Sequence, residues 1–127
     1  MELTMQYAEG EAEDLPADDE EITTGYMGDC VSIIVAWDVN DGRYANMRGF
    51  HGSGAFGNIN LDSLFSGVPL TRETRVFICM GSLSRSNQYE HQRIEGESWR
   101  WAGAGVEWPY GPSTNVRVDR FGLVSFV

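Results

Sequence analysis

Two thiols and two imidazoles are the side chains of this chain with the greatest potential for nucleophilic chemistry. A cysteine acts as a nucleophile when a base lies within hydrogen-bond reach and a third group orients that base. Cys79 lies in the apolar run Arg75–Met80, where a thiol is typical of a buried core position. His91 lies among polar residues, which is typical of an exposed surface. Cys30 and His51 are therefore the candidate catalytic pair.

Cys30 directly follows Gly28 and Asp29 and precedes the apolar, β-branched run Val31–Trp37. A cysteine in a glycine-containing turn at the start of a strand lies close to backbone N–H groups. Such groups lower the pKa of a thiol and can hold an oxyanion. On these residues alone a packed, unreactive cysteine is the favoured interpretation, and a reactive thiol stays open as the alternative.

The spacing of the next segment predicts a β-hairpin that brings the two candidates together. Val31–Trp37 reads as a strand covered on both faces, and Arg43–His51 reads as its antiparallel partner. Asn40, Asp41 and Gly42 tolerate the positive φ angles of a tight turn between them. Cys30 and His51 are equally distant from the midpoint between Asn40 and Asp41. We therefore predict that they lie almost opposite each other.

The remaining elements predict a single strand-rich α+β domain over residues 22–127. Further strands are expected at Arg75–Met80 and in a closing hairpin formed by 115–119 and 123–127. Asn60 or Asp62 is expected to cap a short helix that ends at about Ser66. Residues 84–97 are polar enough to include a helix, whereas residues 99–112 show no clear period.

The net charge of −10 arises mostly from the first 21 residues. Ten acids and nine bases remain after residue 21, so the body is nearly neutral, and all nine bases are Arg. A block of like charge is typical of a solvated arm. We therefore predict a flexible acidic leader over residues 1–21, which could also bind a basic partner or cover a site. Its nine acids are Glu2, Glu9, Glu11, Glu13, Asp14, Asp18, Asp19, Glu20 and Glu21.

Composition excludes several classes of function. The acidic balance argues against nucleic-acid binding and against an anionic membrane surface. The longest strongly apolar stretch falls far short of the ~20 residues that a membrane span needs. The N-terminus shows neither a basic residue nor an apolar segment of the kind a signal peptide carries. Two cysteines and two scattered histidines predict neither a disulfide framework nor a zinc site.

The segment Thr24–Asp38, with the sequence TGYMGDCVSIIVAWD, resembles the Thr-x-x-Leu-Gly-Ser-Cys-Val segment of the chemotaxis deamidase CheD. Related motifs occur in bacterial toxins of the cytotoxic necrotizing factor and Burkholderia lethal factor type. In that superfamily a histidine ends a following strand, and His51 fills this place here. Residues 75–82 resemble a later family strand that runs into a glycine turn. The resemblance covers roughly residues 22–82.

The resemblance implies a cysteine-dependent protein glutamine deamidase. Cys30 would be the nucleophile, His51 the base and Thr24 the group that orients His51. It also implies two packed mixed sheets flanked by short helices, a protein substrate that exposes a glutamine, and no metal or organic cofactor. Asp29 replaces the family's serine, and a carboxylate so close to the thiol would raise the thiol's pKa unless it points away or pairs with an arginine. The oxyanion would be held by backbone N–H groups at Cys30 and in Gly52–Gly54.

Several biological settings and alternatives stay open. We favour a bacterial toxin or secreted effector domain, made in the bacterial cytoplasm and acting on a host protein. The short chain, the absence of lysine and the Trp-rich C-terminal third support this choice. A CheD-like cytoplasmic enzyme acting on chemoreceptors is the alternative within the class. A cysteine protease or transglutaminase would share the chemistry. A non-catalytic binding module would instead use an aromatic surface formed by Trp99, Trp101, Trp108 and Tyr110.

Overall fold

The computed structural model describes residues 2–4, 12–28, 30–52, 60–80, 92–109 and 115–127. They form a strand-rich α+β fold of two packed β-sheets with short helices, as predicted. The first sheet has the strand order β1-β3-β8-β9, and the second has the order β2-β5-β4-β6-β7. Both sheets are mixed, since the β1–β3 and β6–β7 pairs are parallel and the other pairs are antiparallel. The elements are β1 (Glu2–Thr4), β2 (Glu13–Asp14), β3 (Glu21–Thr23), β4 (Val31–Asn40), β5 (Arg43–Gly52), α1 (Leu61–Phe65), β6 (Arg75–Met80), α2 (92–96), a 3₁₀ helix (Ser98–Trp101), β7 (Gly105–Glu107), β8 (Val116–Asp119) and β9 (Val124–Phe126).

The five-stranded sheet is covered on both faces, which explains the nearly continuous apolar run of β4. Side chains alternate between the two faces of a strand. Ile34 and Ala36 pack with residues of the first sheet in the core between the sheets. Ile33 and Val35 pack on the other face in a core that α1, α2 and the 3₁₀ helix close. Each fully buried aliphatic side chain of this kind contributes about 1.5–3 kcal/mol.

The β4–β5 hairpin turns one residue later than its sequence predicts. Asn40 pairs with Arg43, so the turn consists of Asp41 and Gly42, whose φ angles are 52° and 77°. Two positive φ angles in succession belong to the tight turn that best suits a twisted hairpin. The register therefore places Ser32, and not Cys30, directly opposite His51. The prediction that Cys30 and His51 lie opposite each other is wrong by this shift.

The acidic N-terminal stretch differs from the predicted leader in its described part. β1 pairs with β3, β2 pairs with β5, and Leu15 is buried in the core between the sheets. Its acids also pair with arginines of the body, at N–O distances of 2.6 Å for Asp14–Arg48 and 2.5 Å for Glu20–Arg43. The described part of the stretch is thus joined to the fold by strand pairing, by the burial of Leu15 and by these ion pairs.

The shorter elements agree with their sequence signals to different degrees. α1 begins at its predicted cap, since the Asn60 side chain accepts a hydrogen bond of 3.0 Å from the Ser63 N–H. The closing hairpin is β8–β9, and residues 92–96 of the polar stretch are helical. The 3₁₀ helix and β7 were not predicted. None of the helices in the described ranges is long and apolar enough to cross a membrane.

Candidate active site

His51 lies near the end of β5 and faces the core between the two sheets. Its side chain is buried, and Nδ1 lies 2.7 Å from the carbonyl oxygen of Thr24. A carbonyl oxygen can only accept, so Nδ1 must carry the hydrogen. In the neutral ring Nε2 is then the nitrogen with a lone pair. The contact fixes the tautomer that a general base needs.

Thr24 follows β3 and is held by two hydrogen bonds to the neighbouring strand β8 and one within its own loop. Its N–H donates to the Val116 carbonyl at 2.9 Å, and its hydroxyl accepts from the Val116 N–H at 3.0 Å. The same hydroxyl donates to the Gly25 carbonyl at 2.7 Å. Thr24 thus reaches His51 with its backbone, while its side chain holds that backbone in place.

Cys30 is half-buried and packs against the same core that His51 faces. Because Ser32 is directly opposite His51, Cys30, two residues earlier, is a diagonal neighbour of His51. Diagonal neighbours on one face of an antiparallel pair are about 7 Å apart, within reach of long side chains. The structure therefore brings the three predicted site residues to one end of the layer between the sheets.

The N–H of Cys30 has a partner that the sequence does not reveal. It donates to the Met27 carbonyl at 2.6 Å, which closes the turn before β4. This N–H was predicted to hold the oxyanion, and in the structure it is already engaged. Of the other predicted donors, Gly52 lies in β5, whereas residues 53–54 lie outside the described residues, as does Asp29.

Ser32 joins this site without having been predicted. It is fully buried, and its Oγ has no hydrogen-bond partner in the structure. It lies directly opposite His51 on one side and Cys79 on the other. The signal was a polar residue at an inward-facing position of an otherwise apolar strand.

Cys79 behaves as its sequence context predicts. Its side chain is fully buried in the core between the sheets, and burial raises the pKa of the thiol to about 12. The thiolate is the reactive form of cysteine, so this thiol is unreactive near neutral pH. The two cysteines are thus clearly different in their surroundings.

The aromatic residues of the C-terminal third divide between core and surface. Trp101 is buried and stacks on Phe65, with ring centroids 5.6 Å apart. Trp99 and Trp108 are exposed, by 67% and 40% of their surface. The predicted aromatic surface therefore loses Trp101, and Tyr110 lies outside the described residues, as does His91.

An open groove of about 280 Å³ lies between β7 and β9, the outer strands of the two sheets. The groove is lined by Glu107, Trp108, Pro109, Val124 and Phe126.

In the parts of the chain that the structure describes, no three His, Cys, Asp or Glu side chains are grouped so that they could hold a metal ion.

Comparison of the chain with protein-family models, with curated proteins and with solved structures finds no significant match.

Proposed function

We propose that the chain is a cysteine-dependent protein glutamine deamidase. The observation that carries the proposal is the Thr24 carbonyl on Nδ1 of His51, at the end of the sheet layer where Cys30 also lies. A nucleophile, a base and a group that orients the base are the parts that covalent catalysis requires. The resemblance of residues 24–38 to the CheD motif is what favours glutamine deamidation over other cysteine-dependent reactions.

The proposed reaction proceeds through a thioester. The thiol of Cys30 gives its proton to Nε2 of His51, and the thiolate attacks the side-chain amide carbon of a glutamine. The tetrahedral intermediate collapses, the C–N bond breaks, and His51 gives the proton to the departing ammonia. Neutral His51 then takes a proton from water, which attacks the thioester. The C–S bond breaks, and glutamate and the free thiol are released.

The Cys30 N–H, which would bind the oxyanion, already donates to the Met27 carbonyl in the structure. We expect the substrate oxyanion to replace the Met27 carbonyl as the acceptor of the Cys30 N–H. Hydrogen bonds to a charged acceptor are roughly twice as strong as those to a neutral one, so the exchange is favourable once charge develops. The turn that Gly28 makes, with a φ of 53°, is where the chain would adjust.

The partial exposure of Cys30 fits a substrate side chain presented by the surface of another protein. Tyr26 lies in the same loop between Thr24 and Cys30 and exposes 73% of its surface. It offers a rigid aromatic contact for the chain around the target glutamine. We propose a toxin or secreted effector that acts in a host cell, with a chemoreceptor deamidase as the alternative.

The decisive experiment compares the wild type with Cys30→Ala and Cys79→Ala. Each protein is incubated with a eukaryotic cell extract and with bacterial membranes that contain chemoreceptors. Peptide mass spectrometry then identifies glutamines converted to glutamate. We expect conversions with the wild type and with Cys79→Ala, and none with Cys30→Ala. Conversion confined to the eukaryotic extract supports the effector, and conversion of the chemoreceptors supports the CheD-like enzyme.

Alkylation of the free protein by iodoacetamide tests the same proposal without a substrate. Cys30 should react much faster than Cys79 near neutral pH, because only a thiolate is nucleophilic. A Cys30 that reacts no faster than Cys79, together with no Cys30-dependent conversion, would exclude the deamidase. Added primary amine in the extract would reveal a transglutaminase by its incorporation at glutamine.

A protein-binding module is the second candidate, and the groove between β7 and β9 favours it. Exposed Trp108 lines the groove, and Trp99 lies exposed elsewhere in the C-terminal third. Large aromatic side chains commonly dominate binding energy at interfaces. If the chain is only a binding module, alanine at Cys30 leaves partner binding unchanged, whereas Trp108→Ala weakens it.

A further inference from the structure

We propose that Ser32 is a positioning residue of this site: its hydroxyl is a second acceptor for the Nε2 hydrogen of protonated His51. The inference rests on the proposed function, because it concerns the form of His51 that the reaction creates. It assigns a role to a buried hydroxyl that neither the motif in residues 24–38 nor the packing of the core explains.

The placement of Ser32 comes from the register of three strands. Ser32 is directly opposite His51 on β5, and both face the core between the sheets. Residues opposite each other in an antiparallel pair have Cβ atoms about 5 Å apart. Ser32 Oγ makes no hydrogen bond to the ring in the structure, so the proposed bond requires the Ser32 side chain to rotate about χ1 towards Nε2 once that nitrogen is protonated.

The hydroxyl of Ser32 is costly where it stands. Ser32 has no exposed surface, and Oγ has no hydrogen-bond partner in the structure. Leaving a buried hydroxyl without a partner destabilises a protein, and alanine would avoid that cost. A serine at this position therefore fits a partner that exists in another state of the protein.

That state is the one in which Cys30 has passed its proton to His51. Nδ1–H remains bonded to the Thr24 carbonyl, and Nε2 now carries a second hydrogen. Before the thiolate attacks, this hydrogen can be shared between the sulfur and Ser32 Oγ. After the thioester forms, the sulfur carries no charge, and Ser32 keeps the imidazolium oriented until ammonia takes the proton.

Among the described groups near His51, Ser32 is the best placed for this function. From the described elements packed about His51, the titratable groups on its face are Glu13 on β2, Cys30 before β4 and Cys79 on β6. Glu13 is opposite Gly49, two residues from His51, and is partly exposed. Cys79 keeps its proton and lies on the far side of Ser32 from His51. Ser32 is the polar side chain directly opposite the ring.

The test measures the rate of Cys30 alkylation by iodoacetamide against pH in the wild type and in Ser32→Ala. We expect the apparent pKa of Cys30 to rise by about one unit in the variant. At pH values below both midpoints, the labelling rate then falls about tenfold. Thermal and denaturant stability should be equal to or slightly above those of the wild type, because the lost hydroxyl had no partner.

Thr23→Val is the matched control. The Thr23 hydroxyl is also buried and without a partner, but it lies one residue after Ile22 and hence on the other face of β3. Its removal should leave the labelling profile of Cys30 unchanged. Ser32→Thr, which restores a hydroxyl, should bring the profile back towards the wild type.

The outcomes separate the inference from the function on which it rests. If wild-type Cys30 shows no rapid, pH-dependent labelling, the proposed function fails. If wild-type labelling is rapid and Ser32→Ala has the same profile, the role of Ser32 is overturned and the function stands. A shift of equal size in Thr23→Val would also overturn it, since any loss of a buried hydroxyl would then produce the effect.

Discussion

The strand β5 is connected to the first sheet near both of its ends by a buried side chain, Arg120 at one end and His51 at the other. Near its start, Arg120 donates to the backbone carbonyls of Tyr44 and Ala45 at 3.2 and 2.8 Å. Near its end, His51 contacts the Thr24 carbonyl through one nitrogen at 2.7 Å. In each case a buried side chain that can carry charge is held by carbonyl oxygen atoms.

The hydrogen bonds of Arg120 and His51 to these carbonyls differ in their chemical consequences. Arg120 is 1% exposed, and its guanidinium also donates to the carbonyls of Asp19 and Pro16, each at 2.8 Å. Every nitrogen of that group takes part in holding the structure together. His51 contacts the Thr24 carbonyl through Nδ1, at the end of the sheet layer where Cys30 is partly exposed. A buried cation that donates from every nitrogen to backbone carbonyls stabilises the fold, whereas the Nδ1 contact of His51 sets the tautomer that the proposed reaction needs.

Replacing Arg120 by methionine should produce the largest loss of stability. The change removes the guanidinium from four backbone carbonyls, of which Pro16 still accepts from the Asp19 N–H. We expect the free energy of unfolding to fall by about 3–5 kcal/mol. Urea denaturation measures it. Arg117→Met is the control, because Arg117 is partly exposed and its ion pair with Glu21 is 3.5 Å long, a contact worth at most about 1 kcal/mol. Equal losses in the two variants would show that the hydrogen bonds of Arg120 stabilise the protein no more than a partly exposed ion pair does.

Replacing His51 by alanine should strongly reduce the reactivity of Cys30 and only weakly reduce the stability of the fold. Without the imidazole, the Cys30 thiol should return to an ordinary pKa. At pH 7 only a few per cent of it would be thiolate, so alkylation should slow by about 30-fold. Stability should fall by only about 1–2 kcal/mol for the lost hydrogen bond and packing. Folded Arg120→Met should label like the wild type, and a slow Arg120→Met would contradict the division between the two ends.

Much of the fold follows from local sequence because its strongest elements carry strong local signals. The run of β4 is apolar on both faces, and the closing hairpin β8–β9 alternates around a glycine turn. The short β7 and the 3₁₀ helix have no such signal, since their three or four residues are defined by neighbours distant in sequence. The ion pairs of Asp14 and Glu20 could not be predicted, because charge patterning does not reveal the arginines that these acids meet only after folding.

The site was predictable in its composition but not in its geometry. The types and order of Thr24, Cys30 and His51 are visible in the sequence, and the structure gathers them at one end. A shift of one residue in the turn decides which residue lies opposite His51, and hairpin sequences with several turn-forming residues do not fix that position. The role of Ser32 could not be predicted, because an unpartnered hydroxyl is only recognised once the register is known.

Replacing Thr24 by valine separates the role of its backbone carbonyl from the role of its side-chain hydroxyl. The variant keeps the carbonyl that contacts His51 and removes the hydroxyl that accepts from the buried Val116 N–H. We expect the free energy of unfolding to fall by about 1–2 kcal/mol, while Cys30 labelling stays close to that of the wild type. Thr23→Val should leave stability within about 0.5 kcal/mol. A labelling loss as large as that of His51→Ala would mean that the Thr24 hydroxyl itself acts on the imidazole.

The pH dependence of stability measures how well the core beside Ser32 and His51 is shielded from water. Burial raises the pKa of the Cys79 thiol to about 12, whereas in the unfolded chain it ionises near its ordinary value of about 8.5. Between these values the folded state binds the extra proton, so stability falls as pH rises, by up to about 1.4 kcal/mol per pH unit. Denaturation from pH 8 to 10 should show a steeper fall of stability in the wild type than in Cys79→Ala. These two proteins share every other titrating group, so the difference between their slopes belongs to Cys79. Equal slopes in the two would mean that water reaches this thiol, and that the core directly behind the candidate site is not sealed.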